Sequence, residues 1–137
     1  MSAFAIKACI ADPDAASWTL RRQKTMYGGK RIAAGDTVYV FASENEGGQG
    51  LLAMGQVTMA GAAPRNPTLE RQVPCVDVAI LRTGTVRRRL GRAELKPFCD
   101  WQDARPETEL NFKFYRQATD KIVGLSEAAA AFLRARF

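Results

Sequence analysis

Lys7 stands inside an otherwise apolar run, FAIKACI. An ammonium group is costly to bury without partners, so this lysine either lines a cavity or points outward along a strand edge. A second stretch with chemical potential is VFASENEGGQGLLAMGQV, residues 40–57, where Ser43 and Asn45 open a polar patch between two apolar runs. Small polar groups at that place can read the hydrogen-bonding edge of a ligand, or simply satisfy the backbone of a turn. Trp18, Trp101 and Tyr27 sit among polar neighbours (ASWTLRR, CDWQDAR and MYGGK), where a large aromatic forms a pocket wall or caps a core.

Absences prune the chemistry further. The chain has no histidine, so Ser-His-Asp and Cys-His nucleophile pairs and a histidine general base are excluded. Carboxylate-only or lysine-based mechanisms remain. Neither the G-x-x-x-x-G-K-[ST] phosphate loop nor the G-x-G-x-x-G dinucleotide fingerprint occurs. Cys9, Cys75 and Cys99 are widely spaced and form no C-x-x-C pair, which argues against a zinc site. Cys9 and Cys75 fall in strand-like runs and are expected as buried free thiols. No metal and no cofactor is expected.

The net charge is +6, and fourteen of the twenty basic residues are arginine. Arginine suits planar, bidentate contact with phosphates and base edges, so the balance leans toward an anionic partner. Three basic clusters could follow a nucleic-acid backbone: Arg21, Arg22 and Lys24; Lys30 and Arg31; and Arg87, Arg88 and Arg89, followed by Arg92. A solvated charged loop is the alternative for the triple-arginine run. Glu44 and Glu46, beside the supposed pocket, would repel phosphates.

At 137 residues, 47% apolar and 25% charged, the chain is expected to form one domain spanning residues 1–137. No apolar run reaches the ~20 residues of a membrane span, and the N-terminus lacks a signal-peptide pattern. A cytoplasmic protein of bacterial type, without a membrane partner, is therefore expected.

The elements that must position these residues are short. Ala3 to Ile10 reads as a first strand, and Asp14 as the cap of a short helix through Trp18. Thr37 to Ser43 and Leu51 to Met59 pair as a hairpin across a loop at residues 44–50. Gly61 to Gln72 reads as a loop. Val73 to Leu81 is another strand, with Val76, Val78 and Ile80 on one face. A helical turn is expected between Arg92 and Pro97. Asn111 to Tyr115 and Lys121 to Leu125 read as short strands. Ser126 caps a final helix anchored by Ala130, Phe132 and Leu133. Five or six strands with two or three small helices predict an α+β chain built on a small, partly closed mixed β-barrel.

Three segments, in order, resemble the PUA-like superfamily, and within it the EVE domains and their YTH relatives. They are FAIKACIADP, the hairpin GDTVYVFAS-ENEGGQG-LLAMGQV, and the late segment NFKFYRQATDKIVGLSEAAAAFL. The Arg-Asn-Tyr stretch usual in EVE domains is replaced here by MYGGKRIAAGD, and the acidic residue after the first-strand lysine is absent.

The resemblance implies a non-catalytic reader of nucleic acid, RNA or DNA, that encloses an extruded modified base in an aromatic-lined pocket. Carried onto this chain, it implies Lys7, Trp18, Tyr27, Ser43, Asn45, Trp101 and Arg116 as ligand-binding residues. A small enzyme of the neighbouring ASCH-like group, acting on a modified nucleoside, is one alternative. It would pair Lys7 with Glu44 or Glu46, but the Gly-x-Lys-x-x-Glu pattern of ASCH domains is missing. A protein-interaction module with a vestigial pocket is another.

Overall fold

Alternating apolar side chains drive each strand of this chain to bury one face, and the sheet they form closes on itself. The computed structural model describes residues 2–64, 67–68, 74–100, 102–115 and 119–137. Six strands are seen: β1 (Ala3–Ala8), β2 (Ser17–Met26), β3 (Thr37–Ala42), β4 (Gly50–Ala62), β5 (Cys75–Thr85) and β6 (Lys121–Gly124). Their spatial order is β1-β3-β4-β5-β2-β6, with β6 returning to β1. The β1–β3 and β2–β6 pairs are parallel and the others antiparallel. The barrel is fully closed, where the sequence predicted partial closure.

Strand alternation sorts the apolar side chains into two layers. Phe4, Ile6, Val38, Val40, Val57, Val78, Ile80 and Ile122, drawn from five of the strands, fill the barrel interior with Trp18 of the sixth. Ala5, Tyr39, Phe41, Leu51 and Val123 face outward and are covered by Leu90, Leu95, Leu110, Ala129 and Leu133. That cover comes from three short helices and the segments beside them: α1 (Arg92–Leu95), α2 (Pro106–Leu110) and α3 (Glu127–Arg134). Ser126 caps α3 as its sequence predicts, its hydroxyl accepting the Ala129 N–H at 3.1 Å. Ala129 and Leu133 are the fully buried anchors of α3, while Ala130 and Phe132 pack at their edge.

Several local expectations are corrected. Trp18 lies in β2, not in a helix capped by Asp14, and the basic run after it continues that strand to Met26. A register shift between Leu20 and Gln23 interrupts the inside-outside alternation there, which hides the strand. Asn111–Tyr115 is a wide π-type turn that prolongs α2, not a strand. β1 stops at Ala8, leaving Cys9 exposed, and Cys75 is half-buried. The predicted start of the fifth strand at Val73 lies outside the described residues, as do Trp101 and Arg116.

Candidate nucleic-acid interface

Lys7 is only 2% exposed, although it lies next to the end of β1. It pairs with Phe41 on β3 and Lys121 on β6, and so belongs to the outward, helix-covered face. Burial holds its ammonium below the ordinary lysine range. The positive charge of Arg92 adds to that effect, Glu44 opposes it, and Lys121 again lowers it. Neither sequence expectation for this side chain describes it fully: it sits beneath the hairpin lip, among charges supplied by three separate segments.

Glu44 belongs to the 3₁₀ turn Glu44–Glu46 at the tip of the β3–β4 hairpin, which also engages Arg92. One carboxylate oxygen of Glu44 accepts the backbone N–H of Arg92 at 2.7 Å, and the other lies 3.9 Å from the Arg89 guanidinium. Glycine at position 91 permits this approach, because a Cβ there would stand 2.8 Å from Glu44 Oε1. Asn45 accepts a hydrogen bond from the Arg92 side chain at 3.2 Å. Glu44 is therefore engaged by a backbone amide and lies near the Arg89 guanidinium, while Glu46 is exposed at the lip.

Ser43 closes the strand side of the lip. Its N–H donates to the Ala8 carbonyl at 2.9 Å, and its own carbonyl accepts from Glu46 and Gly48 at 3.1 and 2.8 Å. The side chain is buried, and its hydroxyl has no partner among the described residues. An orphaned buried hydroxyl is uncommon in a folded protein. The Gly47 and Gly48 amides are used within the turn, so this loop offers no phosphate cradle.

Ala42, Ser43, Gly48 and Leu52 also line a cavity of about 500 Å³, whose far wall is Ile10, Pro13 and Asp14. Trp18 fixes that wall from behind. Its indole N–H donates to the Asp12 carbonyl at 2.9 Å, and at 8% exposure it packs in the barrel interior. The Arg82 guanidinium lies 4.7 Å from the Trp18 ring and donates to the carbonyls of Ala15, at 2.9 Å, and Pro13. Trp18 and Arg82 together are a clamp on the Asp12–Ala16 loop, and Trp18 does not line this cavity.

The structure does not gather every sequence candidate at this end. Tyr27, 50% exposed, lines a separate cleft of about 340 Å³ with Ser2, Arg31, Lys113 and Ser126, where β1 begins rather than where it ends. Lys113 covers its ring at 5.2 Å. Lys30 and Arg31 belong to the exposed turn beside it. Arg21, Arg22 and Lys24 are exposed on β2, and Arg22 is tied back through its N–H to Asp77 and its guanidinium to Pro64.

Of the triple-arginine run, Arg88 donates to the Ala135 carbonyl at the end of α3, and Arg89 lies near Glu44 and Glu94. The backbone amides of Arg87 and Arg88 both donate to Arg136. This segment thus straps α3 to the hairpin lip as well as carrying charge. Sequence reasoning singled out neither Lys121 nor Arg82. Lys121 opens the KIVGL strand opposite Lys7, a pairing visible only once the barrel closes.

A closed six-stranded mixed barrel with short helices over one face is the PUA-like fold. Human THYN1, solved in complex with DNA containing 5-methylcytosine, superposes with a TM-score of 0.69 over 99% of this chain and 98% of that one, at 16% identity. The DUF55 domain of human thymocyte nuclear protein 1 gives 0.66 at 16% identity, covering 98% of this chain and 97% of that one. The ZmASCH protein of Zymomonas mobilis gives 0.55 at 11% identity over 98% of each chain. No family model matches the sequence, and no curated protein matches it.

Proposed function

We propose that this chain is a non-catalytic nucleic-acid-binding domain that receives a modified base extruded from DNA or RNA. The observation that carries the reading is the buried Ser43 hydroxyl, without a partner among the described residues, on a residue that lines a cavity of about 500 Å³, with the buried Lys7 on the neighbouring strand. A buried hydroxyl held at the rim of a cavity suits the edge of a single flipped base. The likeness of the fold to THYN1, solved with methylated DNA, supports the same reading. Exposed Arg21, Arg22 and Lys24 supply the sequence-independent attraction.

Fluorescence anisotropy with a duplex carrying one 5-methylcytosine, against the same duplex unmodified, tests the proposal. The methylated duplex binds about tenfold tighter, a difference of about 1.4 kcal/mol, and Lys7→Met removes that preference. Equal affinity of the wild type for both duplexes, and for a panel of modified RNAs, refutes it.

One observation favours a second reading. Lys7 has a lowered pKa within the field of Glu44, the lysine–carboxylate pairing that an ASCH-like hydrolase of modified nucleosides would use. Release of free acid from an N-acylated nucleoside, lost in Lys7→Ala, supports that reading over the first.

A further inference from the structure

The cavity beside Ser43 runs against the charge of the chain. The net charge is +6, yet among the described residues the only charged side chains lining this cavity are Asp14 and Glu46. They come from facing walls, Asp14 from the Asp12–Ala16 loop and Glu46 from the turn at the hairpin tip. Ile10, Pro13, Ala42 and Leu52 make the surface between them apolar, and among the described residues no aromatic side chain lines it. At about 500 Å³ it falls within the range of small-ligand pockets, about 300–1,000 Å³.

Both acids stand on ordered backbone. The Asp14 N–H donates to the Asp12 carboxylate at 3.1 Å, and Arg82 holds the carbonyls on either side of it, those of Pro13 and Ala15. The Glu46 N–H donates to the Ser43 carbonyl at 3.1 Å. Both carboxylates are on exposed residues, and neither forms an ion pair among the described residues. The cations of the flanking segments are used elsewhere: Arg82 on backbone carbonyls, and Arg92 on the Asn45 side chain. Ser43 lines the same cavity at 2% exposure, and its hydroxyl has no partner among the described residues. A hydroxyl can donate one hydrogen bond and accept two. Two carboxylates over apolar walls repel a phosphate, and they favour a group that is cationic and donates through N–H.

We propose that the base this cavity receives is cationic, a nucleobase methylated on a ring nitrogen so that it carries a positive charge, as 3-methylcytosine does. The proposal rests on the nucleic-acid reading above and deepens it by assigning Asp14 and Glu46 as the residues that set specificity. Their carboxylates balance the charge of the base and accept its amino N–H groups, while its methyl lies against the apolar wall. The Ser43 hydroxyl serves the remaining polar edge. Phosphates stay with the basic surface outside, so the two opposite charges of such a nucleotide are received in separate places.

The test is fluorescence anisotropy on single-stranded DNA of one sequence with a central 3-methylcytosine, 5-methylcytosine, 3-methyluracil or cytosine. Single strands remove the cost of breaking a base pair, which methylation of a ring nitrogen would itself change. The two methylcytosines carry the same methyl and differ in charge, and 3-methyluracil has the ring-nitrogen methyl without the charge. The wild type binds the 3-methylcytosine strand about tenfold tighter than either neutral methylated strand, the lower end for hydrogen bonds to charged groups because both acids are exposed. Asp14→Asn with Glu46→Gln removes that ratio and leaves the 5-methylcytosine strand bound as by the wild type. Glu127→Gln, which removes an exposed acid at the other end of β1, leaves the ratio in place. Ser43→Ala weakens binding of every methylated strand. A wild type that binds all three methylated strands equally, yet tighter than cytosine, overturns the cationic assignment and keeps the modified-base reading. Equal binding of all four strands overturns both. A double variant that keeps the wild-type ratio, or a Ser43→Ala protein with wild-type affinities, moves recognition out of this cavity and overturns the proposal. Thermal unfolding of each variant near the wild-type midpoint separates lost contact from lost fold.

Discussion

Glu44 accepts the backbone N–H of Arg92 at 2.7 Å, joining the tip of the β3–β4 hairpin to the first turn of α1. The two residues are far apart in sequence, and the contact closes one side of the region around Lys7. Glu44→Ala removes it. Hydrogen exchange at residues 43–50 and 89–95 accelerates, with a loss of about 1.5–3 kcal/mol, as for other charged hydrogen bonds. Unchanged exchange in both segments disproves the latch.

Trp18 serves the fold first. Trp18→Ala lowers stability by about 3–5 kcal/mol, the range for truncating a buried aromatic, because the side chain packs inside the barrel and holds Asp12. Arg82→Ala loosens the same loop without opening the core, so its loss is smaller. Chemical denaturation of the two variants ranks them, and a Trp18→Ala protein as stable as the wild type would contradict this placement.

Lys7 has the opposite sign. Its ammonium is held below the ordinary lysine range by burial first, and then by Arg92 and Lys121 against the pull of Glu44. The unfolded chain therefore binds its proton more tightly than the folded one, and stability rises as pH climbs through the folded pKa toward the ordinary value. Lys7→Met, lacking that penalty, is more stable at pH 7 by about 1 kcal/mol. The advantage shrinks as alkaline pH relieves the wild type. Denaturant midpoints across that pH range read it directly, and a destabilised Lys7→Met protein at pH 7 would reverse the sign.

Glu109 is the acid-sensitive joint. Burial raises its pKa, but hydrogen bonds from the Ser126 hydroxyl and N–H, with Lys113 at 3.2 Å, outweigh that and hold it below the ordinary carboxylate range. Its contribution is complete above the unfolded pKa and is lost as pH falls through the folded one. Glu109→Gln is accordingly less stable than the wild type at pH 7, and the two converge only as pH falls through the lowered folded pKa, below the ordinary carboxylate range. Parallel curves from neutral to acid pH would exclude this role.

What the residues disclosed follows from how local each signal was. The β3–β4 hairpin is written in contiguous β-branched and aromatic residues, and Ser126 with Glu127 marks the start of α3 by capping chemistry within one turn. β2 was concealed because its bulge puts exposed Arg21 and Arg22 in succession, breaking the period of two. NFKFY alternates aromatic and polar residues in a way that fits a strand, yet α2, opened by Pro106, carries its helical winding into it. At the candidate site, Lys7 and Ser43 were legible as candidates because each breaks the chemistry of its own segment. Lys121 was not, because its place opposite Lys7 comes from strands that only the closed barrel brings alongside.

The position of β6 sets the timing of folding. Its four residues, Lys121–Gly124, hydrogen-bond to β1 on one side and β2 on the other, seams that span on the order of a hundred residues of chain. The entropy of so large a loop must be met before either seam contributes, which slows the final step. During synthesis, β1 and β2 keep open edges until residue 124 has left the ribosome. The nascent chain is at its most aggregation-prone in that interval, and a chaperone that shields strand edges would act there.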